Sequence, residues 1–139
     1  MPGMTIPSDD ALAPDLDQIA RLAAAALAAF PEPFQTAARS VAIRVEDFAT
    51  PEVLEAMEID DPFELTGLYE GIPMTEKSVA DQAGQPDVIW LFRRPILDEW
   101  LERGNVKLAE IVTHVLVHEF AHHFGWDDGD IASVDQWWD

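Results

Sequence analysis

The chain has 139 residues, and its 27 acidic residues against 8 basic ones give a formal net charge of −19. A surface of this charge repels phosphate backbones and anionic lipids, which argues against nucleic-acid and membrane-surface binding. The sequence contains no cysteine, and this excludes disulfide scaffolds, thiolate metal sites and cysteine nucleophiles. Its length and 48% hydrophobic residues predict one domain with a core.

The sequence also predicts where the protein resides and where its domain begins. The longest apolar segment, residues 19–30, is too short for a transmembrane helix and is interrupted by Arg21. Residues 1–10 lack the basic start of a secretory signal, so we expect a cytoplasmic protein. Residues 1–14 are rich in proline, glycine, serine and aspartate, and predict a flexible tail before a domain of residues 15–139.

The first half of the chain predicts two helices and one strand. Residues 15–30 carry apolar side chains on one helical stripe between prolines, which predicts a packing helix. Residues 41–48 alternate between apolar and polar side chains, as a half-buried strand does. Residues 51–57 predict a short helix that begins with proline and has Thr50 as its N-cap.

The second half contains a long helix, predicted for residues 106–124 with Asn105 as N-cap and Gly125 as its stop. The other predicted elements are a short strand or turn at 66–74, a loop at 76–85, a strand at 88–92, a helix at 95–103 ended by Gly104, and a helical turn or two at 131–138. Irregular alternation of helices and strands is typical of an α+β fold with a small sheet packed against helices.

The long helix contains the motif HExxH, with His118, Glu119 and His122. Residues four apart lie about 40° apart around a helix and one turn along it, so both imidazoles project from one face and can share a metal ion. Glu119 flanks that face, where a carboxylate can act as a general base without binding the ion. The sequence therefore predicts one divalent metal, zinc, per chain, held in part by the two histidines.

A catalytic zinc usually has three protein ligands and an open position, so a third ligand is expected. The motif continues as HExxHxxGxxD, in which Gly125 can end the helix and let the chain turn back. The spacing favours Asp128 as the third ligand, with Asp127 as the alternative.

Other polar residues near the motif have less direct roles in this interpretation. His114 is on the same stripe but roughly 12 Å along the axis from His122, so we expect it to pack or to support a ligand. His123 should point away from the ion, while Asp130 or Asp135 could orient a ligating histidine. Tyr69 is expected to pack, and stabilisation of an oxyanion is its alternative role.

The strand at 88–92 has a further predicted role, because an exposed strand can pair with an extended peptide. Its apolar run, bracketed by prolines, predicts a strand that borders the metal cleft and offers an edge for peptide docking. Arg93 and Arg94 follow it, and we expect them to bridge to acidic groups of this protein rather than to meet a substrate.

The segment HEFAHHFGWDD, preceded by GLYEGIPMTEKS and PDVIWLFRRPIL, resembles the small bacterial zincin-like metallopeptidases. The resemblance spans roughly residues 41–130. It implies a compact zincin-like α+β domain with the active-site helix near the C-terminus. By position in the motif it implies His118, His122 and Asp128 as metal ligands and Glu119 as the general base.

Two functions from different classes follow from these residues. The first is a single-domain zinc peptidase that acts on a peptide or protein substrate, with no nucleic-acid or membrane partner. The second is a catalytically silent, metal-stabilised protein-binding module that uses its tryptophan-rich C-terminal region. The presence of Glu119 favours the enzyme, because a structural metal site needs no base, whereas a closed site of four protein ligands would favour the module.

Overall fold

The structure is a computed structural model that describes residues 13–70 and 87–134, with the backbone alone for residues 122–124 and 132–134. That part of the chain forms six α-helices and one three-stranded sheet, which confirms the predicted α+β class. In chain order the elements are α1 (Leu16–Ala28), α2 (Phe34–Ala38), β1 (Val41–Glu46), α3 (Pro51–Ala56), a 3₁₀ helix (Pro62–Glu64), β2 (Gly67–Glu70), β3 (Asp87–Phe92), α4 (Arg93–Arg103), α5 (Leu108–Phe124) and α6 (Asp128–Val134).

Local side-chain chemistry explains where most of these helices begin and end. The carboxylate of Asp15 accepts the Gln18 N–H at the start of α1, and the Thr50 hydroxyl accepts the Val53 N–H at the start of α3. Gly104 adopts the left-handed conformation that ends α4, as predicted from its lack of a Cβ.

The structure corrects several predictions about helix position. Asn105 is not the N-cap of α5, because the Glu110 carboxylate accepts the Lys107 N–H at 3.1 Å and the helix begins after Lys107. Helix α4 begins at Arg93, two residues before the predicted start at Pro95. Pro95 is tolerated in the first turn because a proline has no N–H and the N–H groups of that turn have no partner within the helix. The short helix α2 was not predicted.

The sheet has the order β1-β3-β2, with β3 parallel to β1 and antiparallel to β2. The strand predicted at 88–92 is therefore the middle strand among those described, and both of its edges are paired inside the sheet. The prediction that it offers an edge for peptide docking is wrong. Its side chains are apolar on both faces because a central strand is covered on both sides.

Each face of the sheet has its own apolar cluster. On one face Ile89 and Leu91 of β3 pack with α1 and α5 in the main core. On the other face Trp90 and Phe92 pack with the smaller cluster around Leu65 and helix α3. Helix α5 therefore lies against the sheet on the first face, and this contact positions the HExxH motif.

Some predictions fall wholly or partly outside the described residues: the tail of residues 1–14, the loop of residues 76–85, and the ends of the segments 66–74 and 131–138. The domain boundary at residue 15 stays a prediction. Where the described chain begins, Pro14 is buried and its carbonyl accepts a hydrogen bond from Arg93 Nη1 at 2.9 Å. Across residues 13–70 and 87–134, none of the helices has the length and apolar character needed to cross a bilayer.

Candidate active site

Helix α5 is a core helix, and among the described side chains of its HExxH motif the one that is exposed to solvent is that of His118. Its apolar side chains are buried as predicted, and they are Leu108, Ile111, Val112, Val115, Leu116, Val117 and Phe120. His118 is exposed between two buried neighbours, Val117 and Glu119. A histidine that faces solvent from a packed core helix is held at a fixed position on the protein surface.

The backbone of the motif has the conformation that the spacing requires. Helix α5 is unbroken through Phe124, so residue 122 lies on the face of His118 and one turn further on. Gly125 then adopts the left-handed conformation, and its N–H and that of Trp126 both donate to the Ala121 carbonyl. The chain turns back here, and α6 begins at Asp128.

Two neighbouring aspartates at this turn have different surroundings. Asp127 caps α6, because its Oδ1 accepts the Asp130 N–H at 2.8 Å while its own N–H donates to Asp130 Oδ2 at 3.1 Å. Asp128 is exposed in the first turn of α6. Capping commits the Asp127 carboxylate to the fold, which supports Asp128 rather than Asp127 as a candidate ligand.

Glu119 is only 7% exposed, and strand β2 contacts it directly. Its Oε1 accepts the Tyr69 backbone N–H at 3.0 Å. In an antiparallel pair, only every second residue of a strand bonds to its partner strand. The bond from the Phe92 N–H to the Thr66 carbonyl shows which residues of β2 bond to β3. Tyr69 is not one of them, so its N–H points away from β3, towards α5. The sheet thus fixes one oxygen of the predicted general base.

Gly67 allows β2 to approach α5 this closely. A Cβ at this position would lie 2.6 Å from Val115 Cγ1 and 3.4 Å from Glu119 Cγ. The first distance is well inside van der Waals contact, and Val115 is 4% exposed and enclosed by the core. Glycine is needed here for the close contact of strand and helix.

The side chain of Tyr69 packs against the main core, and its hydroxyl donates to Asp87 Oδ2 at 3.3 Å. Asp87 is 5% exposed at the start of β3, so the phenol supplies a hydrogen bond to a buried carboxylate. These contacts support packing over the alternative role of Tyr69 at an oxyanion.

Of the two arginines after β3, Arg93 bridges to an acidic group of this protein, as expected, whereas Arg94 packs on an aromatic ring. Arg93 Nε lies 2.6 Å from Asp47 Oδ1 in an ion pair. The Arg94 guanidinium lies over the ring of Phe48, 5.6 Å from its centroid.

The metal ligands stay a prediction, because the side chain of His122 lies outside the described part of the chain, as do those of His123 and Asp135. Among the described side chains, no three His, Asp or Glu residues form a group that could hold a metal ion. Two imidazoles and one carboxylate are nevertheless a ligand set that zinc accepts. His118 and Asp128 are both exposed and lie on either side of the turn at Gly125, which is compatible with that set.

Sequence reasoning missed the part that β2 plays at the site. The contact of Tyr69 with Glu119 joins residues 50 positions apart, and no local pattern reports such a pairing. The only signal is the pair of glycines that brackets Tyr69, since glycine within a strand often marks a close approach of another element.

Comparison with known proteins identifies the family of the chain. No curated protein matches the chain. The family model for zincin-like metallopeptidases matches residues 38–138, from just before β1 to beyond α6 and through the whole HExxHxxGxxD motif. Members of this family are in general zinc-dependent, and as peptidases they act on peptide or protein substrates. Because the match covers most of the 139 residues, the chain belongs to the zincin-like metallopeptidase family.

Proposed function

We propose that the protein is a zinc-dependent peptidase in which His118, His122 and Asp128 hold one zinc ion and Glu119 is the general base. The observation that carries this proposal is the placement of Glu119. It is a buried carboxylate beside an exposed histidine, with one oxygen held by the main chain of β2. A site that only stabilised the fold would need no such carboxylate.

Zinc, when bound, polarises a substrate carbonyl and makes a nearby water more acidic. Glu119 accepts the proton of the attacking water and delivers it to the nitrogen of the leaving amine. The Tyr69 N–H fixes the direction of the Glu119 carboxylate, so that little reorganisation is needed when the proton moves. The packed α5 backbone holds the base in register with His118.

The test compares Glu119→Gln with Glu110→Gln. Both carboxylates lie on α5 and accept a backbone N–H, but Glu110 is nine residues away, about 13.5 Å along the helix. Cleavage of a broad peptide library should fall by about 10²–10⁴-fold in Glu119→Gln, since a general base contributes that much. Zinc content and folding should be retained, and Glu110→Gln should cleave like the wild type.

A second variant separates loss of the base from loss of the metal. His118→Ala should lose zinc and cleavage together, because the imidazole is a predicted ligand. Equal cleavage by wild type and Glu119→Gln would refute the assignment of the base. Zinc held by four protein ligands, with no cleavage in any variant, would instead establish the metal-stabilised binding module. The cytoplasmic location stays a prediction from the sequence.

A further inference from the structure

The face of the sheet that points away from α5 carries a cavity that the proposed reaction does not use. Its volume is about 260 Å³, and its apolar walls include Trp90, Phe92, Phe48, Leu68 and Val53. Small-molecule sites usually span about 300–1,000 Å³, so this cavity matches a single large side chain better than a cofactor. We call it the Trp90 pocket.

Two carboxylates lie at the Trp90 pocket, and both belong to exposed residues, Glu46 and Glu70. The Trp90 indole N–H donates to Glu70 Oε1 at 3.2 Å, which holds that carboxylate beside the aromatic wall. An apolar cavity with two carboxylates suits an occupant that has an apolar stem and a cationic end. The formal net charge of −19 attracts such a group over a longer range.

The same aromatic wall already packs against a guanidinium of this chain. Arg94 lies over Phe48, which also lines the Trp90 pocket, and over Phe63 at 6.0 Å from the ring centroid. A planar guanidinium stacks on aromatic rings and pairs with carboxylates through several N–H groups, whereas an ammonium does so less well. Arginine therefore fits this combination of rings and carboxylates best.

Strand β2 connects the Trp90 pocket to the catalytic side of the protein. Leu68 and Glu70 line the pocket, while Gly67 approaches Glu119 and Tyr69 donates its N–H to that carboxylate. The pocket and the predicted base thus lie on opposite sides of one four-residue strand. A polypeptide bound near Glu119 needs to cross only this strand to reach the pocket.

We propose that the Trp90 pocket binds an arginine side chain of the protein substrate, outside the site of peptide-bond hydrolysis. Only the description of the occupant as substrate rests on the proposed function. The pocket itself requires neither zinc nor Glu119.

Binding is tested on the full chain with Nα-acetyl-L-arginine amide, by following the Trp90 indole N–H signal in ¹H–¹⁵N spectra. Trp90→Phe assigns that signal among the five tryptophans. We expect saturable shifts with a dissociation constant on the order of 1 mM, as ordinary ligand efficiency gives for a probe of this size. The matching citrulline amide, which has the shape of arginine without its charge, should bind at least ~5-fold more weakly.

Variants of the two carboxylates locate the site. Glu70→Gln and Glu46→Gln should each weaken binding of the arginine probe about 2- to 5-fold, as exposed charge pairs do. Glu55→Gln, which removes an exposed carboxylate of α3 that does not line the pocket, should leave binding unchanged.

The absence of saturable shifts at 20 mM probe, equal binding of arginine and citrulline amides, or indifference to both pocket variants would each overturn the proposal. The peptide library adds an independent readout of the substrate assignment. Replacing arginine by citrulline in a cleaved peptide should raise KM in the wild type but not in the Glu46→Gln/Glu70→Gln double variant. If the arginine probe binds and the wild type hydrolyses nothing, the pocket stands and its description as a substrate site falls.

Discussion

Gly67→Ala is the variant that most directly probes the contact between β2 and α5, the helix of the HExxH motif. The new methyl group would lie 2.6 Å from Val115 Cγ1 and 3.2 Å from the Trp90 carbonyl oxygen. The φ angle of Gly67 is not positive, so the expected effect comes from crowding rather than from backbone strain. Relief requires β2 to move away from α5, which would lengthen the hydrogen bond from Tyr69 to Glu119.

The expected change in stability combines two opposing terms. Overpacking of a buried contact costs about 1–3 kcal/mol. Replacement of glycine by alanine restricts the unfolded chain and returns about 0.4–1 kcal/mol. The net expectation is a loss of about 1–2 kcal/mol in the free energy of unfolding. Cleavage should fall as well, with zinc retained, because the proposed base, Glu119, loses its fixed direction.

Urea denaturation of a double-mutant cycle measures this crowding. Val115→Ala removes Cγ1 and should destabilise the protein on its own. In the Gly67→Ala/Val115→Ala double variant, however, the new methyl group on β2 can occupy the space that Cγ1 filled. The two changes should therefore couple favourably by about 1–2 kcal/mol. The matched control is Gly129→Ala in the first turn of α6, where a Cβ meets nothing closer than 3.4 Å and alanine should be neutral or stabilise by up to about 0.5–1 kcal/mol. A neutral Gly67→Ala, or strict additivity with Val115→Ala, would refute the reasoning.

Three further predictions concern the metal and its surroundings. Asp128→Asn should weaken zinc binding strongly because it removes a proposed ligand. Asp127→Asn should retain zinc binding, because asparagine at this position can still cap α6. Isothermal titration of zinc into the two apoprotein variants compares their affinities. Zinc at about 100 times its dissociation constant should add about 2.7 kcal/mol to the free energy of unfolding. The measurement is a rise in melting temperature, which EDTA should reverse and which the His118→Ala variant should not show. Tyr69→Phe should cost about 1–2 kcal/mol through the lost bond to Asp87, with cleavage within a few-fold of wild type; a loss above 10²-fold would assign the phenol to an oxyanion.

Local signals in the sequence predicted most of the elements correctly. The apolar stripe of α1, the alternation of β1 and the caps at Thr50 and Gly125 each depend on neighbouring residues, and each was found at its place. The core face of α5 was also predicted residue by residue, since a helix that is apolar nearly all round must be buried.

The predictions that were wrong depend on contacts between distant parts of the chain. The apolar run of β3 fits both an edge strand and a central one, and only its pairing with β1 and β2 shows that it is central. The Tyr69 N–H donates to Glu119 because the register of β2 against β3 turns it away from the sheet, and the sequence does not show this register. The N-terminus of α5 is a local exception. It was predicted two residues too early because the Glu110 side chain, rather than that of Asn105, caps the helix by accepting the Lys107 N–H.

Zinc-edge anomalous diffraction from crystals of the zinc-loaded protein tests the central claim most directly. We predict one peak per chain, within about 2.0–2.2 Å of His118, His122 and Asp128, with one coordination position not taken by protein and Glu119 beside the ion but not bound to it. A peak elsewhere, ligation by Asp127, or an ion enclosed by four protein ligands would contradict the proposal that this site is the catalytic centre of a peptidase.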